Sequence, residues 1–191
     1  MKKIFFTLLV TISATQWIQA QEEGKFRAGL DLGYAMPTRG EGLFVAFEAK
    51  QNIADNMNVG LRIENAIFVK EVYLNDKAMD TDIIGNLSFI GTFDYYFNKN
   101  NHQFSPFVGT GIGYSSLTDV QFEFKGDETT PDAETNGKFG GLIRAGFEWG
   151  KLRVAANYNL LGKSKIEGGE IKNSYLGISL GFYIGGGKWN K

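Results

Sequence analysis

The chain has 191 residues, a formal net charge of −1, a single histidine and no cysteine. Without cysteine there is neither a disulfide framework nor a thiolate metal site, and near-neutral charge leaves no electrostatic footprint for nucleic acid. Glycine is abundant at 25, proline rare at 3, and aromatics reach 14%, which points to a β protein.

Lys2 and Lys3 precede an apolar run from Ile4 to Ile12, and a polar stretch then ends on Ile18-Gln19-Ala20. A basic start, a run too short to span a bilayer as a helix, and a small residue at the end have the layout of a cleaved secretory signal peptide. Residues 1–20 are therefore expected to be removed, leaving 21–191 as one domain. That loss takes two lysines, so 18 basic side chains face 21 acidic ones in the mature chain. No lipidation cysteine follows the run, and no later stretch of about 18 apolar residues predicts a transmembrane helix.

Eight alternating segments follow. The first, Lys25 to Met36, sets Phe26, Ala28, Leu30, Leu32, Tyr34 and Met36 against Arg27, Gly29, Asp31, Gly33 and Ala35. The second, Leu43 to Gln51, sets Leu43, Val45, Phe47 and Ala49 against Phe44, Ala46, Glu48 and Lys50. In the third, Met57 to Val69, Val59, Leu61, Ile63 and Ile67 oppose Gly60, Arg62, Glu64 and Ala66. The fourth, Ile83 to Phe97, places Leu87, Phe89, Phe93, Tyr95 and Phe97 opposite Asn86, Ser88, Thr92 and Asp94. Side chains alternate faces along a strand, so each segment has one apolar and one polar or small face.

The fifth segment, Phe104 to Ser116, is the most distinctive. Gly109, Gly111 and Gly113 share one parity, while Val108, Thr110, Ile112 and Tyr114 hold the other. A helix is disfavoured because each interior glycine costs roughly 1 kcal/mol there. A strand with one bare face suits a narrow barrel with a crowded interior. The sixth, Lys138 to Trp149, sets Phe139, Ile143, Ala145, Phe147 and Trp149 against Gly140, Leu142, Arg144, Gly146 and Glu148. After a two-residue turn at Gly150-Lys151, the seventh runs from Leu152 to Leu161 with Arg153, Ala155, Asn157 and Asn159 on its polar face. The eighth, Ser174 to Gly185, sets Leu176, Ile178, Leu180, Phe182 and Ile184 against Tyr175, Gly177, Ser179, Gly181 and Tyr183.

From the third connection onward the lengths alternate: 13 residues at 70–82, six at 98–103, 21 at 117–137, two at 150–151 and 12 at 162–173. If neighbours are antiparallel, the longer loops share one rim and the termini lie at the other. That is the outer-membrane pattern of short periplasmic turns and longer outside loops. Alternation does not say which face points inward. A soluble lipocalin-like barrel buries the apolar set; a membrane barrel turns it to lipid. Glycines on the polar parity, aromatics near the ends of the apolar parity (Phe26, Tyr34, Tyr95, Phe97, Tyr114, Phe139, Phe147, Trp149) and the loop asymmetry all favour the membrane form. The interior is then expected to hold Arg27, Lys50, Arg62, Arg144 and Arg153 with Asp31, Glu48, Glu64, Asp94 and Glu148, five of each sign. Equal numbers let confined charges pair, and eight strands leave room only for side chains, so a plugged lumen is expected.

The signal peptide, Pro106-Phe107-Val108-Gly109-Thr110-Gly111-Ile112-Gly113-Tyr114 and Tyr175-Leu176-Gly177-Ile178-Ser179-Leu180-Gly181-Phe182-Tyr183 give the chain a resemblance to the small eight-stranded outer-membrane β-barrels, the group that includes OmpX, OmpW and the OmpA membrane domain. The resemblance covers the mature chain and implies an all-β, antiparallel, up-and-down transmembrane barrel in the cell outer membrane. Its implied partners are outer-membrane lipid and the assembly machinery. In that family the last strand ends on an aromatic recognised by the machinery; here Gly185 to Lys191 extend past Tyr183, so either Phe182 and Tyr183 serve without being terminal, or Trp189 takes part.

Candidate chemistry is sparse, and no catalytic, metal-binding or cofactor-binding residue is assigned. His102 falls in a turn beside Asn100 and Asn101, without the positioned nucleophile that a Ser-His-acid arrangement needs. Asp119, Glu123, Asp127, Glu128, Asp132 and Glu134 offer oxygen ligands for a divalent cation, but their spacing fits no calcium loop; a solvated acidic loop is expected. Val120, Phe122 and Phe124 alternate there, so the fifth strand is expected to project outward, where an exposed edge can pair with a partner strand. The sequence thus favours a non-enzymatic structural or surface-interaction role. A carrier or conduit for a small hydrophobic ligand, a lipid A-modifying enzyme and a soluble lipocalin-like carrier are the alternatives.

Overall fold

In the computed structural model, residues 22–37, 40–74, 77–97, 104–120, 136–162, 164–166, 169–171 and 174–186 are described. Ten strands appear: β1 (Phe26–Pro37), β2 (Gly40–Ala54), β3 (Met57–Leu74), β4 (Lys77–Tyr96), β5 (Phe104–Val120), β6 (Asn136–Trp149), β7 (Leu152–Leu161), β8 (Ser164–Ile166), β9 (Gly169–Ile171) and β10 (Tyr175–Gly185). Eight of them close a barrel in the order β1-β10-β7-β6-β5-β4-β3-β2, while β8 and β9 pair as a separate ribbon. Every barrel neighbour is antiparallel.

The register fixes the width. From Arg27 the paired residues run Lys50, Gly60, Thr92, Gly111, Leu142, Asn159 and Tyr175, and return to β1 at Pro37, ten residues further along. Eight strands with that stagger tilt by roughly 40° and put the wall about 8 Å from the axis, given ordinary strand spacing. Such a bore holds side chains and little else.

Alternation places the two parities on opposite sides of this wall. From Phe26 to Met36, Leu43 to Ile53, Met57 to Val69, Gly85 to Phe97, Phe104 to Ser116, Gly137 to Trp149, Leu152 to Leu160 and Leu176 to Ile184, no outward position carries a charge. Gln51, Asn65, Thr110 and Ser116 are the polar exceptions. Leu61 (70% exposed), Ile112 (73%) and Phe139 (79%) stand fully on the surface. Ring pairs Tyr95–Phe97 and Phe104–Phe147 pack near the end that carries the termini, and Tyr114–Phe139 toward the other.

The strands outrun their sequence-based boundaries at the rim away from the termini. Residues expected to form a loop at 70–82 continue the β3–β4 ladder as far as the Leu74–Lys77 pair, with a register shift at Val72/Tyr73. β5 likewise extends to Val120, opposite Ile83, and the 162–173 connection contains the β8–β9 ribbon. Alternation reports which side chains are buried, not which backbones are paired, so a ladder leaving the apolar zone loses its sequence signature while its hydrogen bonds continue. Residues 1–20, His102, Phe122, Phe124, Glu123, Asp127, Glu128, Asp132, Glu134 and Trp189 lie outside the described residues.

The glycines of β5 answer to close approach. A Cβ on Gly113 would fall on the backbone carbonyl of Phe89, whereas outward-facing Gly91 has only the Ile112 oxygen at 3.7 Å. Gly113→Ala is therefore expected to destabilise the barrel by about 1–3 kcal/mol, as overpacking does. Gly91→Ala should change it by less than about 0.5 kcal/mol; urea titration of the refolded variants in detergent checks both.

Candidate functional site: a buried charge network

The ten charged residues singled out by parity lie on the inner face, all of them buried. On every strand that carries them they sit toward the termini-bearing end. Arg27 and Asp31 precede Gly33 and Ala35 on β1; Ala46 and Phe44 continue from Glu48 and Lys50 toward the far rim on β2; Ala66 and Phe68 follow Arg62 and Glu64 on β3. The far half instead holds an apolar cluster of Ala35, Phe44, Ala66, Phe68, Leu161 and Tyr175. Uncharged polar groups fill in around it: Asn86 donates to Ser88 Oγ (3.1 Å), Ser88 and Ser115 hydroxyls meet at 2.7 Å, and Asn157 donates to Ser179 Oγ (2.9 Å).

Glu48 is the hub, with 0% of its surface exposed. Arg144 grips it with both terminal nitrogens, Nη2 to Oε1 at 2.7 Å and Nη1 to Oε2 at 3.0 Å. Thr92 Oγ1 donates to Oε1 (2.6 Å), and Tyr183 Oη to Oε2 (2.8 Å). Lys50 (3.4 Å), Arg62 (3.6 Å) and Arg153 (3.8 Å) complete its ring of cations. Asp94 is the second centre: it accepts from Lys50 Nζ (2.7 Å), Arg144 Nε (2.7 Å) and Arg153 Nη2 (3.1 Å).

Two flanking groups extend this centre. Arg62 bonds Asp31 through Nη1 and Glu64 through Nε (2.9 Å) and Nη2 (2.7 Å). Glu64 also accepts from the Tyr175 hydroxyl and from Asn159 Nδ2 (3.2 Å). Nearer the termini, Arg27 Nη2 and the Tyr96 hydroxyl both donate to Glu148, each at 2.7 Å. Aromatic faces take up cationic charge that carboxylates leave over: Arg153 lies 3.9 Å from the Phe107 ring centroid and Lys50 4.8 Å from that of Tyr183.

The glycine face of β5 makes room for this. A Cβ on Gly109 would collide with Asp94 Oδ1 and stand 3.1 Å from Arg144 Nε. β5 contributes no charge from Ser105 to Leu117; it contributes space. Parity reasoning did not single out the three tyrosines, Thr92 and Asn159 as members of the network. Their signal was the shared inward parity, which brings these hydroxyls and this amide to the same side of the wall as the carboxylates.

Chemically, the arrangement neutralises charge rather than presenting it. Each of the five network carboxylates is paired, and among the described residues no nucleophile stands beside a free base. Among the described residues no group of three or more His, Asp or Glu is placed to hold a metal ion.

Removing one partner of a buried pair leaves the other charge uncompensated, at about 3–5 kcal/mol. Glu48→Ala is thus expected to lower unfolding stability by that order. Tyr175→Phe, which removes one hydroxyl from a carboxylate that keeps Arg62 and Asn159, should cost about 1–3 kcal/mol. Urea titration monitored by tryptophan fluorescence in detergent ranks the two.

No family model matches the chain, and no curated protein matches it. Solved structures do. The chain is similar to Neisserial surface protein A, at 14% identity and a TM-score of 0.53, covering 84% of this chain and 95% of that one. It is also similar to the outer membrane protein OprG from Pseudomonas aeruginosa, at 14% identity and a TM-score of 0.55, covering 87% and 99%. The chain therefore shares its fold, a closed eight-stranded antiparallel barrel, with the small outer-membrane β-barrels.

Proposed function

We propose that this chain is an integral outer-membrane barrel whose lumen is filled by its own side chains, and that its role is structural or interactive at the cell surface. One observation carries the reading: within the apolar belt, from Leu43 to Ile53 on β2 and over the matching stretches of the other seven barrel strands, the outer wall is uncharged, while ten charges are buried inside. In water that distribution would expose a continuous apolar belt and desolvate every ion pair, with no compensating gain. In a bilayer the belt meets hydrocarbon and the charges avoid it. The soluble lipocalin-like alternative requires the opposite orientation of both faces.

The same interior argues against free passage of solutes. A stagger of ten on eight strands leaves a narrow bore, and Glu48, Asp94, Arg144 and Arg153 meet across it. An interactive role falls to the far rim, where β3, β4 and β5 run past the apolar belt. A hydrophobic-ligand conduit would need an apolar path, which the charged half interrupts. Lipid A modification would need a catalytic set, and the described residues assemble none.

Two outcomes are expected. The protein should be recovered in washed outer membranes and migrate faster on SDS gels unboiled than boiled; recovery in the soluble periplasmic extract without a heat-dependent shift would overturn the reading. Leu61→Arg, on the outer face, should destabilise the bilayer-inserted barrel by about 2–4 kcal/mol if Leu61 lies near the midplane. Urea unfolding in liposomes measures it, and an unchanged midpoint would place that face in water.

A further inference from the structure

At the end of the barrel that carries both termini, the chain ahead of β1 folds into a short strap between β2 and the end of β10. Residues 22–25 form a turn closed by the Lys25 amide donating to the Glu22 carbonyl (3.1 Å), with Gly24 at φ +78°, the value a type II turn takes at its third position. The strap is tied on two sides. The Gly24 amide donates to the Asn52 carbonyl (2.8 Å), the Asn52 amide to the Lys25 carbonyl (3.0 Å), and the Glu22 amide to the Gly186 carbonyl (2.5 Å). The Asn52 side chain points into the bore and passes beneath β1, its Nδ2 donating to the carbonyls of Glu22 and Gly186, both at 3.0 Å. One asparagine thus holds the start of the barrel, the end of β2 and the end of β10 together.

Behind it lies a floor of polar atoms without protein partners. Asn58, the cross-strand neighbour of Asn52, is 0% exposed, and neither its Oδ1 nor its Nδ2 makes a hydrogen bond. Asn52 Oδ1 is likewise buried and unpartnered. Burying such groups dry is costly, and proteins ordinarily satisfy them with water. Asn58 is also the cross-strand neighbour of Asp94, whose carboxylate holds Lys50, Arg144 and Arg153. Water that reaches Asn58 therefore stands at the edge of the charge network.

We propose that residues 22–25 are a removable seal, locked by Asn52, that controls water access to the Asn58 floor and through it to the charge network. Closed, the strap traps the floor's hydration; released, it opens the network to solvent from the termini-bearing end only. Only the barrel end and its termini are involved, so the surrounding membrane or micelle does not enter.

The absence of cysteine allows a clean test. Asn58→Cys is introduced as a single thiol, and its reaction with a small, charged methanethiosulfonate reagent is timed in the detergent-folded protein. Gly24→Pro then breaks the strap by removing the amide bonded to Asn52 and excluding a positive φ; deletion of residues 21–24 is the second break. Heat-dependent gel mobility confirms that each variant is folded. Modification is expected to be at least tenfold faster in both strap-broken backgrounds than with the strap intact. Equally fast modification in all backgrounds would show that the strap seals nothing. Equally slow modification would show that the floor is closed by other residues. Either result overturns the proposal.

Discussion

A charge cut off from water must find its opposite inside the protein, and the interior of this barrel is arranged around that requirement. Glu48 and Asp94 draw cations from β2, β6 and β7, and Glu48 from β3 as well, while Tyr183 of β10 and Thr92 of β4 donate the remaining hydrogen bonds. Few pairs in such a cluster have an independent value, because each carboxylate is shared by several donors. The bore is narrow enough that these side chains meet across it, and the β5 glycines keep it just wide enough for Asp94 and Arg144 to fit. Width, glycine placement and charge balance are one constraint seen from three sides.

The division of the lumen into a charged half and a neutral half has a second physical meaning. Arg62, with Asp31 and Glu64, sits where the two halves meet, and Tyr175 spans that boundary by donating to Glu64 while its ring packs on Phe68 at 4.9 Å. Its amphipathic character suits that place: the ring belongs to the apolar cluster, the hydroxyl to the carboxylates. In the far half serine and asparagine side chains hydrogen-bond one another instead: Asn86 to Ser88, Ser88 to Ser115 and Asn157 to Ser179.

Much of the architecture was legible in the sequence because a strand writes its burial with a period of two. The outward residues Leu43, Val45 and Phe47 against inward Ala46 and Glu48 identified the β2 faces without any structure, and the same reading put the ten charges on one parity. Pairing was not legible. Nothing in Lys70 to Asp82 distinguishes a loop from a ladder beyond the belt, since the sequence there carries no sustained alternation of apolar and polar residues. Nor does parity show which cation meets which carboxylate: Arg153 reaches Asp94 across the bore from three strands away, a contact set by the stagger. Asn52 and Asn58 were invisible for another reason. Read locally, Asn52 is a turn residue at the end of a strand, and only the closure of β1 on β10 brings Gly186 within its reach.

That closure bears on how the chain reaches its native state. The network takes members from β1, β2, β3, β4, β6, β7 and β10, and the last seam joins residues at the two ends of the chain, Arg27 with Gly185. An open sheet of any smaller number of strands would leave some of these charges without their partners. Partly assembled sheets are therefore disfavoured relative to the closed barrel, and loop-closure entropy is spent before the pairing it permits. Closure of the wall and completion of the charge network are thereby one and the same condition: neither is met until β1 pairs with β10.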